Sequence, residues 1–143
     1  AEQLSAAGEE DHMRRCHALC YAGRAARAAS GDDKVLPALS RDHQNLINAL
    51  SWLVRNDAET ALQMVAALRE FWYSRGLFSE GLHWAQVVLR LEAGEASAHR
   101  AGGLLTLGQM MLNLGQPQEA QLPLQEALGL LRRGAAPQGH AQS

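Results

Sequence analysis

Residues 68–91 read LREFWYSRGLFSEGLHWAQVVLRL, and residues 107–130 read LGQMMLNLGQPQEAQLPLQEALGL. A shift of 39 residues lays the first stretch on the second. Leu68 falls on Leu107, Trp72 on Met111, Gly76 on Gly115 and Glu80 on Glu119. Gly81 then meets Ala120, Val88 meets Ala127, Leu89 meets Leu128 and Leu91 meets Leu130. In each copy a glycine closes a first helix. A small residue early in the second helix lets the two backbones approach, and apolar residues seal the pair. Such a hairpin cannot bury its apolar face alone, so units of this kind stack on one another.

The composition outside the repeat agrees. Of 143 residues, 25 are Ala and 23 are Leu, against one Ile (Ile47), five Val and two Thr. Residues that fit a pleated, half-buried strand are nearly missing, while the strongest apolar helix formers dominate. This excludes a sandwich or barrel and argues against a parallel α/β sheet. The fold class is all-α, in one domain with a core of its own.

Punctuation along the chain divides it into six helices. The first runs from Glu9 to Ser30, with Glu9, Glu10 and Asp11 at its start and Arg24 and Arg27 near its end, as the helix dipole favours. Ser30-Gly31-Asp32-Asp33 breaks it. The second spans about Ala38 to Asn56, with Leu39, Leu46, Ile47, Leu50, Leu53 and Val54 on one stripe. Asp57 caps the third, which carries Glu59 in its first turn and ends at Gly76. Ser79 caps the fourth, which continues to Leu91. The fifth spans Ala96 to Leu114 before Gly115, and the sixth runs from Pro117, suited to a first helical position, to Arg133. Pro123 sits well inside the sixth and costs about 3 kcal/mol unless the helix bends or starts later. Short connections make neighbouring helices antiparallel. The domain is expected over residues 1–134, with 135–143 as a flexible tail.

Charge and targeting supply exclusions. Thirteen basic against fifteen acidic residues leave a net charge of −2, with a pI near 6.3, which argues against bulk nucleic-acid binding. No stretch approaches the roughly 18 apolar residues that span a bilayer. The polar start Ala1-Glu2-Gln3 does not read as a secretory leader, and two cysteines, Cys16 and Cys20, are too few for a disulfide scaffold. A reducing cytoplasm is the expected compartment. A start at Ala1 and the trailing Gly134–Ser143 fit a piece of a longer polypeptide.

The second copy resembles the tetratricopeptide repeat. Leu104, Leu107, Gly108, Met111, Gly115, Ala120, Leu124 and Ala127 stand at that motif's spacing, with Leu for Trp and Met for Tyr, and with Arg132 where the closing proline would be. The implied architecture is a short right-handed superhelix of antiparallel hairpins. Three further segments resemble the helical region that follows the ATPase module in large bacterial LuxR-type and antibiotic-regulator-type transcription factors. They are Arg14-Arg15-Cys16-His17-Ala18; then Asp42-His43-Gln44-Asn45-Leu46 with Ala49-Leu50 and Trp52-Leu53; and Phe71-Trp72-Tyr73-Ser74-Arg75-Gly76 with Glu80-Gly81 and Trp84. The resemblance covers about Leu4 to Arg133. It implies a regulatory segment of a signal-transduction ATPase, with a nucleotide-binding domain upstream and often a helix-turn-helix at one end. No phosphate-binding G-x-x-x-x-G-K-[ST] loop lies in this chain, which contains no Gly-Lys pair. Cys16 and Cys20 depart from the larger side chains usual in that family.

Candidate chemistry is sparse. His12, Cys16 and Cys20 are spaced i, i+4, i+8 on one helical face. With a fourth ligand they would make a zinc site; otherwise they are two small thiols in a helix interface beside an exposed His. Strong zinc sites use Cys-x₂-Cys on turns, which favours the second reading. An intrahelical disulfide does not suit the diverging Cβ vectors. Asp42 and His43 are adjacent, so on a helix they diverge and form no acid/base pair. No G-x-S-x-G turn frames a nucleophile, and Asp32-Asp33 is too short for a calcium loop. The chain therefore reads as non-catalytic and free of cofactors, with a small metal-binding bundle as the rival class.

Trp52, Trp72, Trp84, Phe71 and Phe78 form either an aromatic ligand box or interhelical core, and their place within Leu/Ala stripes favours core. Registering the two copies sets Gln63, Glu70, Tyr73 and Ser74 beside Leu105, Gln109, Leu112 and Asn113. That polar row with one aromatic anchor suits a peptide or helix in a groove, or else is a solvated face. Arg14, Arg15, Arg24 and Arg27 read as a solvated face more readily than as a patch for acids or phosphate. The expected partners are a protein, peptide or small inducer and other domains of the same polypeptide. Neither nucleic acid nor membrane is expected. A homodimer is possible through a stack end left uncovered, and a free-standing adaptor is the alternative.

Overall fold

The computed structural model describes residues 2–31, 35–91 and 98–142, with side chains within 8–31, 37–91 and 99–133. Among these residues there is no strand, and eight helices follow one another: α1 (Glu2–Ala29), α2 (Val35–Arg41), α3 (His43–Asn56), α4 (Ala58–Ala67), α5 (Arg69–Arg75), α6 (Phe78–Leu91), α7 (Ala98–Asn113) and α8 (Pro117–Gln142). The expected count of six becomes eight because two helices each bend at one residue. The expected helix 38–56 divides at Asp42 (φ −99°, ψ 28°), and 57–76 divides at Leu68 (φ −84°, ψ 0°). Helix-type backbone bonds reach both residues from each side, from Asp42 to Ala38 and Leu46 to Asp42, and from Leu68 to Met64 and Trp72 to Leu68. The chain is thus re-aimed rather than ended. Neither residue is Gly or Pro and the apolar stripe continues through both, so hydrophobic periodicity carries no sign of the bends.

The ends obey local chemistry. Asp57 caps α4: its carboxylate accepts from the Thr60 N–H at 3.2 Å and from the Thr60 hydroxyl at 2.7 Å. Gly76 (φ 71°) and Gly115 (φ 77°) are left-handed, the region where a side chain is strained. Each sits in the same reciprocal closure. Gly76 N–H reaches Tyr73 O and Leu77 N–H reaches Trp72 O; Gly115 N–H reaches Leu112 O and Gln116 N–H reaches Met111 O. The 39-residue repeat is therefore a repeat of backbone conformation too.

Other boundaries shift. α1 starts at Glu2, so Glu9, Glu10 and Asp11 lie two turns inside it and gain little from the dipole. α6 starts at Phe78, which puts Ser79 in its first turn instead of at the cap. α8 starts at Pro117 as expected but runs past Arg133 to Gln142. It also continues through the buried Pro123, which has no N–H for the Glu119 carbonyl. Ala96 and Asp32-Asp33 lie outside the described residues. No helix among them is long and apolar enough to cross a membrane.

Packing follows pairs. α1 packs on α3, α4–α5 on α6, and α7 on α8. The first helix of each pair also touches the first helix of the next, α1 against α4 and α4 against α7, and each second helix touches the next first helix, α3 against α4 and α6 against α7. The core lies between the first helices and the second helices that pack on them. Trp72, Phe71, Leu46, Leu50, Leu53, Leu62 and Met110 are fully buried, each stabilising by about 1.5–3 kcal/mol. The stripe expected on 38–56 is the one that turns inward, with Leu39, Leu46, Leu50 and Leu53 buried and Ile47 and Val54 packed against them.

The α4/α7 seam needs small residues. A Cβ on Gly102 would stand 2.6 Å from Ala66 Cβ, and one on Gly103 2.6 Å from Leu62 Cδ1. That approach brings the buried Thr106 hydroxyl 3.3 Å from Val65 O on α4 and 3.1 Å from Gly102 O, so it is satisfied.

Candidate functional site

Two groups of polar side chains stand out, one on the face of the first helices and one between the pairs. On the first face, Glu70 and Tyr73 of α5 meet Gln109 of α7, and with Arg69 they line a cleft of about 150 Å³. Tyr73 is half exposed, its ring 6.4 Å from that of Phe78. Gln109 donates to Asn113 Oδ1 at 2.9 Å, which holds both amides along α7. Gln63 lies farther along the row, 3.4 Å from His99 of α7. Leu112 is exposed.

Ser74 is exposed on the same face and Leu105 is partly buried. The Ser74 hydroxyl turns back to Phe71 O at 3.2 Å, and Leu105 packs against the core. Helical register alone places a residue on a face; it does not say whether a hydroxyl bonds its own turn or whether a leucine leans inward.

Between the pairs, one carboxylate gathers three helices. Glu80 Oε2 on α6 accepts from the Trp72 indole N–H on α5 at 2.7 Å and lies 2.8 Å from His43 Nε2 on α3. The His43 ring also stacks near Phe71, 6.3 Å centre to centre. Asp42 turns the other way, toward Arg24 of α1 at 3.5 Å. The neighbours Asp42 and His43 thus diverge, as expected for adjacent helical positions, and each finds a distant partner. The Asp-His and Phe-Trp segments and the Glu-Gly pair meet at this carboxylate. No spacing rule links His43 to Glu80, so sequence reasoning missed the contact.

The aromatic residues are core: Trp52, Trp72 and Phe71 are buried, and Trp84 and Phe78 pack against them. Arg14, Arg15 and Arg27 are exposed, as a solvated face requires, and Arg24 is half-buried. Arg15 lies 5.2 Å over the Trp52 ring and Arg24 lies 4.8 Å over Tyr21, while Arg14 bonds Glu10 at 2.7 Å. Cys16 and Cys20 are exposed, which corrects the expectation of thiols buried in an interface: α1 enters the core through Ala18, Tyr21, Ala25 and Ala28. His12 Nε2 lies 3.5 Å from the Cys16 sulfur, but Cys20 is a further turn along, and among the described residues no group of three or more His, Cys, Asp or Glu is placed to hold a metal ion.

A larger cleft, of about 490 Å³, opens between α1 and α3. Of its lining, the candidate groups read from the sequence include only Arg14, in the arginine cluster, and Trp52, among the aromatics. The signal was available as the spacing Glu10, Met13, Arg14, His17, one face of a helix that contributes nothing to the core there. Comparison with protein-family models, curated proteins and solved structures gives no match to this chain.

Proposed function

We propose that the chain is a non-catalytic helical-repeat interaction and sensor segment of a larger bacterial transcriptional regulator of the LuxR-type, signal-transduction ATPase kind. In this reading it works in the cytoplasm as a short tetratricopeptide-like right-handed superhelix of three hairpins. A partner or inducer is received on the first-helix face, and its occupancy passes to attached ATPase and DNA-binding modules through hairpin packing or self-association.

One observation carries the reading. Each first helix touches its own second helix and the next first helix, so the first helices form a continuous row, and Glu70, Tyr73 and Gln109 from two successive units share a cleft on it. A groove assembled from neighbouring units is what a stacked repeat offers a peptide or helix. The family-like segments converging on Glu80 support the same assignment. The test is made in the longer polypeptide that this reading requires: Tyr73→Ser with Gln109→Ala is expected to abolish partner- or inducer-dependent stimulation of ATP hydrolysis. Stimulation equal to wild type would show that the groove receives nothing.

A scaffold reading has its own observation. Leu128 and Leu131 are exposed on α8, whereas Leu89, the repeat counterpart of Leu128, is buried on α6, which α7 covers. An adaptor that pairs through this end would leave them covered.

A further inference from the structure

The cleft between the N-terminal half of α1 and the C-terminal half of α3 exists because the two helices part. Residues 8–17 of α1 are exposed, and among the described side chains Ala18 is the first of α1 to enter the core. Across the gap, Arg14 and His17 face Trp52 and Arg55, with Asn48 and Ser51 beside them. We propose that this cleft binds a small organic carboxylate with an apolar body.

Four features lead there. The first is charge: two guanidinium groups, Arg14 and Arg55, stand against one carboxylate, Glu10. The second is a placeholder. Glu10 already seats a carboxylate on Arg14 at 2.7 Å, yet both side chains are at least 60 % exposed, so the pair is weakly held and a ligand carboxylate exchanges for it at little cost.

The third is the second cation. Arg55 is steadied through its Nε, which donates to Ser51 O at 3.3 Å, and its terminal amino groups have no partner among the described residues. A guanidinium held by one edge and free along the other suits a planar two-oxygen acceptor.

The fourth is the floor. Trp52 is only 6 % exposed, with Arg15 over its ring, so a small part of it reaches the cleft, beside Ala49 and the exposed Met13. An inorganic anion would leave this apolar lining wet and would meet Glu10 with its full charge, whereas an apolar body packs on Met13, Ala49 and the reachable part of Trp52 and brings a single negative charge. The volume, about 490 Å³, lies in the range of small-molecule sites.

The site is separate from the Tyr73–Gln109 groove and does not rest on the regulatory reading; a ligand binds here whether or not anything relays it. The test is a titration of the ¹⁵N-labelled chain with phenylacetate, followed at the resonances of the three indole N–H groups, that of Trp52 assigned from Trp52→Phe. The Trp52 resonance is expected to shift saturably at millimolar probe while Trp84 stays still. Phenylacetamide, the same shape without the charge, is expected to bind at least about tenfold more weakly. Arg55 is exposed, so Arg55→Gln keeps the fold and is expected to weaken phenylacetate binding by a similar factor, whereas Arg69→Gln, at the other cleft, leaves it unchanged. Equal affinity for phenylacetamide, no saturable shift, a shift centred on Trp84, or an equal response to inorganic phosphate would each overturn the proposal.

Discussion

Glu80 shows how much one side chain can decide. Trp72 is fully buried, and its indole N–H has the Glu80 carboxylate as acceptor. Removing that acceptor strands a buried donor, which costs more than a hydrogen bond contributes on balance. Glu80→Ala is therefore expected to lower unfolding free energy by about 1–3 kcal/mol in urea denaturation, and Glu80→Gln, which keeps an acceptor oxygen, by less. A smaller loss for Ala than for Gln would contradict the assignment. The sequence marked Glu80 through its repeat counterpart Glu119, but the role does not repeat: Met111 stands where Trp72 does and has no donor, and Glu119 is exposed. His43, 37 residues away, carries no mark of its part.

At the scale of helices, the glycines separate spacing from propensity. Gly23 is itself exposed in the middle of α1, and a Cβ there would find nothing within 4 Å, so Gly23→Ala is expected to stabilise by about 0.5–1 kcal/mol. Gly102→Ala gains the same propensity but sets its methyl 2.6 Å from Ala66 Cβ, an atom no rotamer moves, so α4 and α7 must part and stability is expected to fall by about 1–3 kcal/mol. Gly81→Ala meets mainly the flexible Met110 side chain and should cost less. Thermal unfolding of the three variants orders them; Gly102→Ala as stable as wild type would mean that α4 and α7 are not in close contact. Much of this level was legible beforehand. The closures at Gly76 and Gly115, the cap at Asp57 and the inward stripe from Leu39 to Leu53 are local chemistry, written in adjacent residues. The bends at Asp42 and Leu68 were not, because the tertiary setting makes them, and neither was the exposure of Cys16 and Cys20, which depends on where α1 leaves the core.

For the whole molecule, the Ala/Leu composition and the 39-residue shift announced stacked helical pairs, and the contacts among α1, α4 and α7 show pairs packed in sequence order. Of the candidate row, the sequence placed Glu70, Tyr73 and Gln109 together but could not foresee that Leu105 packs against the core, or that a wider cleft opens where α1 and α3 part. The uncovered end has a solution consequence. Leu128 and Leu131 together are expected to drive concentration-dependent self-association, seen by sedimentation equilibrium and abolished by Leu128→Glu; a monomer at every concentration would show that this end is tolerated in water. Whether these hairpins serve a larger regulator is decided by sequencing the intact polypeptide on both sides of this segment. A phosphate-binding loop upstream with a helix-turn-helix at one end is the result expected, and a polypeptide holding these hairpins with neither module would contradict it.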